Sequence, residues 1–319
     1  MLGSVEIRNF KSVRHVDFEA RRVNILIGEP NTGKSNIIEA LALLSSKFES
    51  GAFREVFRVH TLADLFFDQQ ISNKIEVRAD DQVVSVRFER GQFNFAYSAK
   101  ALPGNQIVVD KTANFSSWLS IGEGVRFYRF KGNVQINFPD YGPLASPFGQ
   151  NLVTLLYTNK ELRRRVSDLF RSRGFRLEIK PVDMQLLLAK SVDDELYSFP
   201  YDSISETWRR IVFFMAVLET NHNSTILLDE PEANTFPFYT TYLAERIALD
   251  ESNQFFLTTH NPYVLSSIIG KAQEKDLAVF VATMENFATR LSSVSPDGLA
   301  RILDYGPDAF LNLDKLIVA

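Results

Sequence analysis

Cysteine is absent from the 319 residues, which excludes disulfides and thiolate metal sites and fits a reducing compartment. Long apolar runs are absent as well. The longest uninterrupted one, Ile211 to Leu218, is far too short to span a bilayer. The first ten residues, MLGSVEIRNF, hold no apolar stretch of signal-peptide type. A cytoplasmic location without membrane contact is therefore expected. An excess of positive charge is also missing: the net charge is −4 and the pI near 5.7. The chain as a whole is not a polycation, so a nucleic-acid surface would have to be local.

What is present is an ordinary globular composition with a surplus of one residue type. Hydrophobic residues make up 45% and charged residues 23%, and this length can bury a sizeable core. Phenylalanine occurs 27 times against 10 tyrosines and 2 tryptophans, for which core packing is the default reading.

Residues 4–10 and 22–28 read as strands, the second an apolar, β-branched run ending in glycine. Apolar positions at helical spacing follow over 34–48: Ile37, Ile38, Leu41, Leu44 and Phe48. From 71 to 138 the segments IEVRA, VVSVRFE, QFNFAYS, QIVVD, VRFYRF and VQINF are short, often alternating, and punctuated by Gly, Asn, Asp and Pro. They predict an antiparallel β lobe. A charged helix over 159–173 and a strand pair at 175–180 and 184–190 come next. The last third predicts a helix at 205–220, strands at 225–230 and 254–259, and helices at 237–249 and after Pro262. Strand–helix–strand order of this kind implies a mostly parallel sheet. The expected fold class is α/β: residues 1–50 and 200–319 form the core, and 51–199 an inserted β-rich lobe with a helical subdomain.

Gly28-Glu29-Pro30-Asn31-Thr32-Gly33-Lys34-Ser35 matches G-x-x-x-x-G-K-[ST] without a mismatch, between an apolar strand and an amphipathic helix. Glycines allow backbone N–H groups to turn inward onto phosphate oxygens, and the helix N-terminus adds its partial positive charge. Lys34 is expected on the β- and γ-phosphates of ATP and the Ser35 hydroxyl on Mg²⁺, with Asn36 completing the nucleotide-binding segment. A glycine turn without a ligand is the competing reading.

The strand TILLDE ends in Asp229 and Glu230. On its own such a pair marks nothing more than a strand reaching the surface. Paired with an upstream phosphate loop, Asp229 is expected to hold Mg²⁺ through its water shell and Glu230 to act as general base on water. His260 closes the next strand, QFFLTTH. In a parallel sheet both strands end on the edge that carries the phosphate loop, where a neutral imidazole would sense the γ-phosphate. His15, His60 and His222 have no such setting and read as surface residues.

With these residues assembled, the chain resembles the ABC-type ATPases of the SMC, RecF and OLD class, among the bacterial AAA-family ATP-binding proteins. The resemblance rests on "VEIRNFKSV", "LIGEPNTGKSNIIEAL", "YDSISETWRRIVFFMAVLE", "STILLDEPEANTFPFYTTYLAERI" and "QFFLTTHNPYVL". It implies a P-loop ATPase head forming an ATP-sandwiched homodimer, in which one subunit's nucleotide is capped by a signature segment of the other. By position that segment is Ser203 to Arg209, with Ser205 on the γ-phosphate; Glu206 and Thr207 stand where relatives carry glycines. Ser205 also suits an ordinary helix N-cap. Ala233 to Pro237 falls at the dimer-contacting D-loop, and Lys11 at a basic position near the nucleotide. Gln69, Gln70 and Gln150 are the candidates for a nucleotide-reporting glutamine. Neither the coiled coil of SMC relatives nor the nuclease domain of OLD relatives is recognisable, so a stand-alone ATPase module is expected.

A GTPase would need an N-K-x-D segment, and NKIE and NKEL end wrongly; kinases and transporter subunits fit the motif set less well. Two uses of the ATP cycle remain. One is action on double-stranded DNA, in genome maintenance or phage defence, through Arg163, Arg164, Arg165, Arg171, Arg173 and Arg176. The other is an ATP-gated scaffold for a separately encoded effector protein, such as a nuclease or toxin. A solvated face on an apolar stripe of Leu162, Val166, Leu169 and Phe170 explains the same arginines without any nucleic acid.

Overall fold

Every residue of Val23–Gly28 is buried, as are the first four of Thr225–Asp229 and all of Gln254–Thr258. Strands covered on both faces read as continuous apolar runs, and these three are the centre of the sheet that organises the molecule. The computed structural model describes residues 1–45, 50–99, 102–109, 124–136 and 140–317. In chain order the strands are β1 (Ser4–Phe10), β2 (Val13–Glu19), β3 (Val23–Gly28), β4 (Ile75–Ala79), β5 (Gln82–Glu89), β6 (Gln92–Ala99), β7 (Leu102–Val109) and β8 (Val125–Tyr128). They continue with β9 (Arg176–Lys180), β10 (Gln185–Val192), β11 (Glu195–Pro200), β12 (Thr225–Asp229), β13 (Gln254–Thr258), β14 (Leu277–Glu285) and β15 (Ala288–Ser293). The helices are α1 (Lys34–Ala42), α2 (Ser50–Phe57), α3 (Leu152–Thr158), α4 (Lys160–Arg171), α5 (Glu206–Thr220), α6 (Pro237–Leu249), α7 (Pro262–Lys271), α8 (Pro296–Tyr305) and α9 (Asp314–Ile317).

The main sheet has the order β15-β14-β3-β13-β12-β8, parallel from β14 to β8 with β15 antiparallel at one edge. A second, antiparallel sheet runs β2-β1-β4-β5-β6-β7, and a third, β11-β10-β9, precedes α5. The mixed α/β class expected from the motif order is the class found.

Alternation along the central strands separates two cores. Ile25 and Ile27 of β3, Ile226 and Leu228 of β12, and Phe255 and Leu257 of β13 face the helical side. Leu26, Leu227 and Phe256 face the other side, where α1, α2 and the antiparallel sheet close over them. Much of the phenylalanine surplus lies on this second side. Phe10, Phe53, Phe57, Phe66, Phe93 and Phe95 are all buried there, with Phe53 and Phe57 at 4.4 Å between ring centroids.

Four expectations change. VRFYRF is not part of the antiparallel lobe: β8 pairs in parallel with β12, so the segment 51–199 contributes a strand to the core sheet. Conversely β1 and β2, assigned to the core, are strands of the antiparallel sheet. The first helix ends at Ala42, followed by turn residues and then α2, and Phe48 lies outside the described residues. Residues 134–136 of VQINF carry no strand, and the rest of that segment also lies outside.

A buried charge ties these layers together. Glu39, on α1, is 0% exposed. Its carboxylate meets Lys11 Nζ at 2.6 Å, Arg58 Nε at 2.7 Å and Arg129 Nη2 at 3.3 Å. Lys11 also donates to the Phe57 carbonyl, and burial lowers its pKa. Removing one member of such a cluster strands the others, which costs about 3–5 kcal/mol. Glu39→Ala should therefore lower the unfolding free energy by that order in a denaturant titration, whereas Glu89→Ala, on an exposed pair, should change it by about 0.5 kcal/mol or less.

Candidate active site

The phosphate-loop sequence forms a left-handed turn that tolerates no side chain at two points. Gly28 has φ +147° and Gly33 φ +93°. A Cβ on Gly28 would lie 2.3 Å from the Ala282 carbonyl oxygen, and one on Gly33 2.0 Å from Thr289 Oγ1 and 2.6 Å from Ser12 Oγ. The glycines thus let the loop lie flush against β14 and β15. Asn31 also has positive φ, at 63°, and Glu29, Pro30 and Asn31 form the exposed crest. Thr32 is buried and donates to the Glu29 carbonyl at 2.9 Å. Asn36 is turned to Ser12 Oγ at 2.7 Å.

Lys34 opens α1 and is 4% exposed, its ammonium donating to the carbonyls of Gly28 at 3.0 Å and Glu29 at 2.6 Å. Burial lowers its pKa, opposed by the nearby charges of Glu230, Asp229 and Glu29. Ser35 donates its hydroxyl to Asp229 Oδ1 at 2.8 Å, joining two oxygens that lie 194 residues apart in sequence.

The parallel register of β12 and β13 sets Asp229 beside Thr258. Thr258 donates to Asp229 Oδ1 at 2.8 Å and accepts from the Glu230 amide at 3.0 Å. Glu230 then leaves the strand with φ +46°, a conformation unusual for a non-glycine residue and one that clusters at functional sites. Its Oε1 lies 3.2 Å from His260 Nε2. Burial lowers the His260 pKa, with Lys34 adding to the effect against the pull of Glu230 and Asp229, which favours the neutral imidazole.

Two further residues at this edge are silent in the motif reading. Arg129 follows β8 directly, and its Nη2 is 2.9 Å from Asp229 Oδ2. Its Nη1 donates to the carbonyls of Glu55 and Val56 at the end of α2, each at 3.2 Å. None of the three candidate glutamines occupies this place. Gln69 bonds Asp64, Gln70 bonds Asn73, and Gln150 lies in the loop before α3. Thr258 is the second missed residue; an apolar strand ending in threonine carries no signal by itself. Lys11, expected near the nucleotide, points its ammonium at Glu39 and Phe57 instead.

Ser205 stands at the N-cap position of α5, exposed, and its side chain makes no capping hydrogen bond. Glu206 pairs with Arg210 at 3.1 Å along the helix, and Thr207 donates to the Asn234 carbonyl at 3.1 Å. Trp208 packs on Phe170 and Tyr239, with Arg173 5.7 Å from its ring. Beyond Glu230 the chain leads to Phe236 and Phe238, 65% and 69% exposed.

Comparison with known proteins agrees with this geometry. Residues 1–115 match the family described as an AAA ATPase domain, and residues 152–266 match an AAA domain described as a putative AbiEii toxin of a type IV toxin–antitoxin system. A solved SMC head bound to the C-terminal winged-helix domain of ScpA superposes with a TM-score of 0.54 at 15% identity, covering 94% of this chain and 99% of that one. The SMC head from Thermotoga maritima (TM-score 0.44, 15% identity, 92% and 99% coverage) is among the other matches. An uncharacterized protein of Methanocaldococcus jannaschii is 28% identical over 124 residues, 37% of this chain and 57% of that protein's length. Two separate stretches of the chain thus resemble AAA ATPase domains, and the fold is like that of the SMC head. Among the described residues no helix is long and apolar enough to cross a membrane.

Glu232, next along from Pro231, is the most strongly perturbed carboxyl at this edge. Burial raises its pKa from an ordinary 4.5 to about 7. The folded state therefore holds this proton more tightly than the unfolded chain. The associated stability is full below pH 4.5 and is lost as pH rises toward 7, by about 3 kcal/mol in all. Glu232→Gln should remove that component, so its melting temperature should fall less steeply than wild type between pH 5 and 8, as read by scanning calorimetry.

Proposed function

We propose that the chain binds ATP with Mg²⁺ at this edge and hydrolyses it, with Glu230 as general base. The observation that carries the reading is the placement of the Glu230 carboxylate. It is turned out of β12 by a left-handed backbone and met by His260, one residue beyond a carboxylate that is hydrogen-bonded to the phosphate-loop serine. Ser35 and Asp229 offer hard oxygen donors that suit Mg²⁺. Bound Mg²⁺ usually keeps one or two protein ligands, with phosphates and waters supplying the rest. When bound, the ion would neutralise charge on the phosphates. Lys34 and the loop amides would orient the triphosphate, Glu230 would take a proton from water, and the neutral His260 would hold Glu230 and face the γ-phosphate.

The same reading makes the working unit a homodimer, with Ser205 of one copy and the segment 233–237 completing the site of the other. Ser205 supports it by its exposure and its hydroxyl free of the capping role. The ion pair to Arg210 draws Glu206 along the helix surface, which relieves the conflict between an acidic residue at this position and a triphosphate.

Of the two uses of the cycle, control of a partner protein is better supported than action on DNA. Arg164 is paired with Glu161 and Asp168, Arg165 with Glu161 and Glu219, and Arg171 with Asp168. Arg173 lies over Trp208. Arg164, Arg165 and Arg171 are thus matched by carboxylates on α4 and, for Arg165, on α5 as well, the pattern of a solvated face rather than a phosphate-binding one.

Lys34→Ala should abolish nucleotide binding, measured with a fluorescent ATP analogue; undiminished turnover would refute the loop's role. Glu230→Gln should bind ATP with near-normal affinity, hydrolyse it at least about 100-fold more slowly, and accumulate as a dimer by light scattering. Duplex DNA should leave the steady-state ATPase rate unchanged, and a clear stimulation would restore the DNA reading.

A further inference from the structure

Glu232 takes no part in the chemistry above, yet it lies between the segment that carries His260 and the exposed segment after Pro231. It is 6% exposed, and its Oε2 has no hydrogen-bond partner. Its Oε1 accepts the Thr259 hydroxyl at 2.5 Å. Thr259 Oγ1 in turn accepts the Asn261 amide at 2.9 Å, and the main-chain amide of His260 lies against the same carboxyl. Residues 259–261 are thus anchored on Glu232 directly or through one intervening bond, while the His260 ring reaches outward to Glu230.

Glu232 also continues into the exposed segment on its other side. Its carbonyl accepts the Thr235 amide at 3.0 Å, and Thr207, at the start of α5, is bonded to the Asn234 carbonyl. Burying a carboxyl with one oxygen unmatched is unfavourable, and an apolar residue would pack there at lower cost. The carboxyl earns its position through what it holds in place.

We propose that Glu232 is a positioning residue: through Thr259 and the His260 main chain it fixes His260 against Glu230. The proposal rests on the reading of Glu230 as general base. The pKa raised to about 7 supports it, because the uncharged acid adds no second negative charge beside Glu230 near neutral pH.

The test compares Glu232→Ala, Glu232→Gln and Thr259→Val, each alone and combined with His260→Ala. Affinity for a fluorescent ATP analogue, kcat and KM are measured, and the His260 ring is titrated by NMR in protein carrying labelled histidine. Nucleotide affinity and KM should stay within about twofold, while kcat falls about 10–100-fold for Glu232→Ala and Thr259→Val. Glu232→Gln should recover most of the rate. The His260 titration should shift in both damaging variants, and neither change should slow His260→Ala further.

Full kcat in Glu232→Ala and Thr259→Val, or an equal loss in the His260→Ala background, would overturn the proposal. Should Glu232→Ala fail to fold, Thr259→Val decides, since it removes one hydroxyl at nearly constant volume. A wild-type protein without ATP turnover would remove the hydrolytic reading instead. The His260 titration would then still decide the positional claim: an unshifted ring in Thr259→Val overturns it, and a shifted one supports it.

Discussion

Everything at the candidate site depends on the parallel pairing of β12 with β13, in the register that sets Asp229 beside Thr258. From that one alignment three side-chain links follow in sequence: Asp229 to Thr258, Glu230 to His260, and Glu232 to Thr259. Side chains in a strand alternate between faces, so a slip of one residue would exchange the threonines and separate all three links. The apolar runs Ile226–Leu228 and Phe255–Leu257, buried on both faces, make such a slip costly. Packing in the middle of the sheet therefore fixes geometry at its edge.

The phosphate loop shows the same dependence from the other direction. Its glycines are demanded less by the phosphates they would receive than by the strands behind them, where Ala282, Thr289 and Ser12 leave no room for a Cβ. β14 and β15 are in this sense part of the candidate site, although no residue of either reads as a motif. The antiparallel sheet contributes at greater distance, through β1 and the turn that carries Lys11 to Glu39.

The legible parts of the site were those carried by contiguous residues with specific chemistry: Gly28 to Ser35, the acidic pair, and the histidine closing the next strand. The class of fold followed from the strand–helix alternation around them. What stayed hidden depends on contacts between distant segments. VRFYRF has the same composition and spacing as the antiparallel strands before it, so nothing local reveals that it pairs with β12 and delivers Arg129 to Asp229. Nothing in the segment around Glu39 announces that its carboxylate is buried. Its burial is made possible by cations arriving from positions 11, 58 and 129. In α4 the run of positive charge gives no sign of the carboxylate partners, Glu161 and Asp168, that lie one turn away along the helix.

Trp208 has a practical consequence of a different kind. The chain holds only two tryptophans, and the other, Trp118, lies outside the described residues. Trp208 sits three residues past Ser205, between two aromatic rings and beneath a guanidinium, all of which affect indole emission. Replacing Trp118 by phenylalanine leaves a protein whose single tryptophan, selectively excited at the red edge of the absorption band, lies on the helix that carries Ser205 at its N-cap. Any event that changes the surroundings of this helix end would then be readable in real time, without attaching a dye.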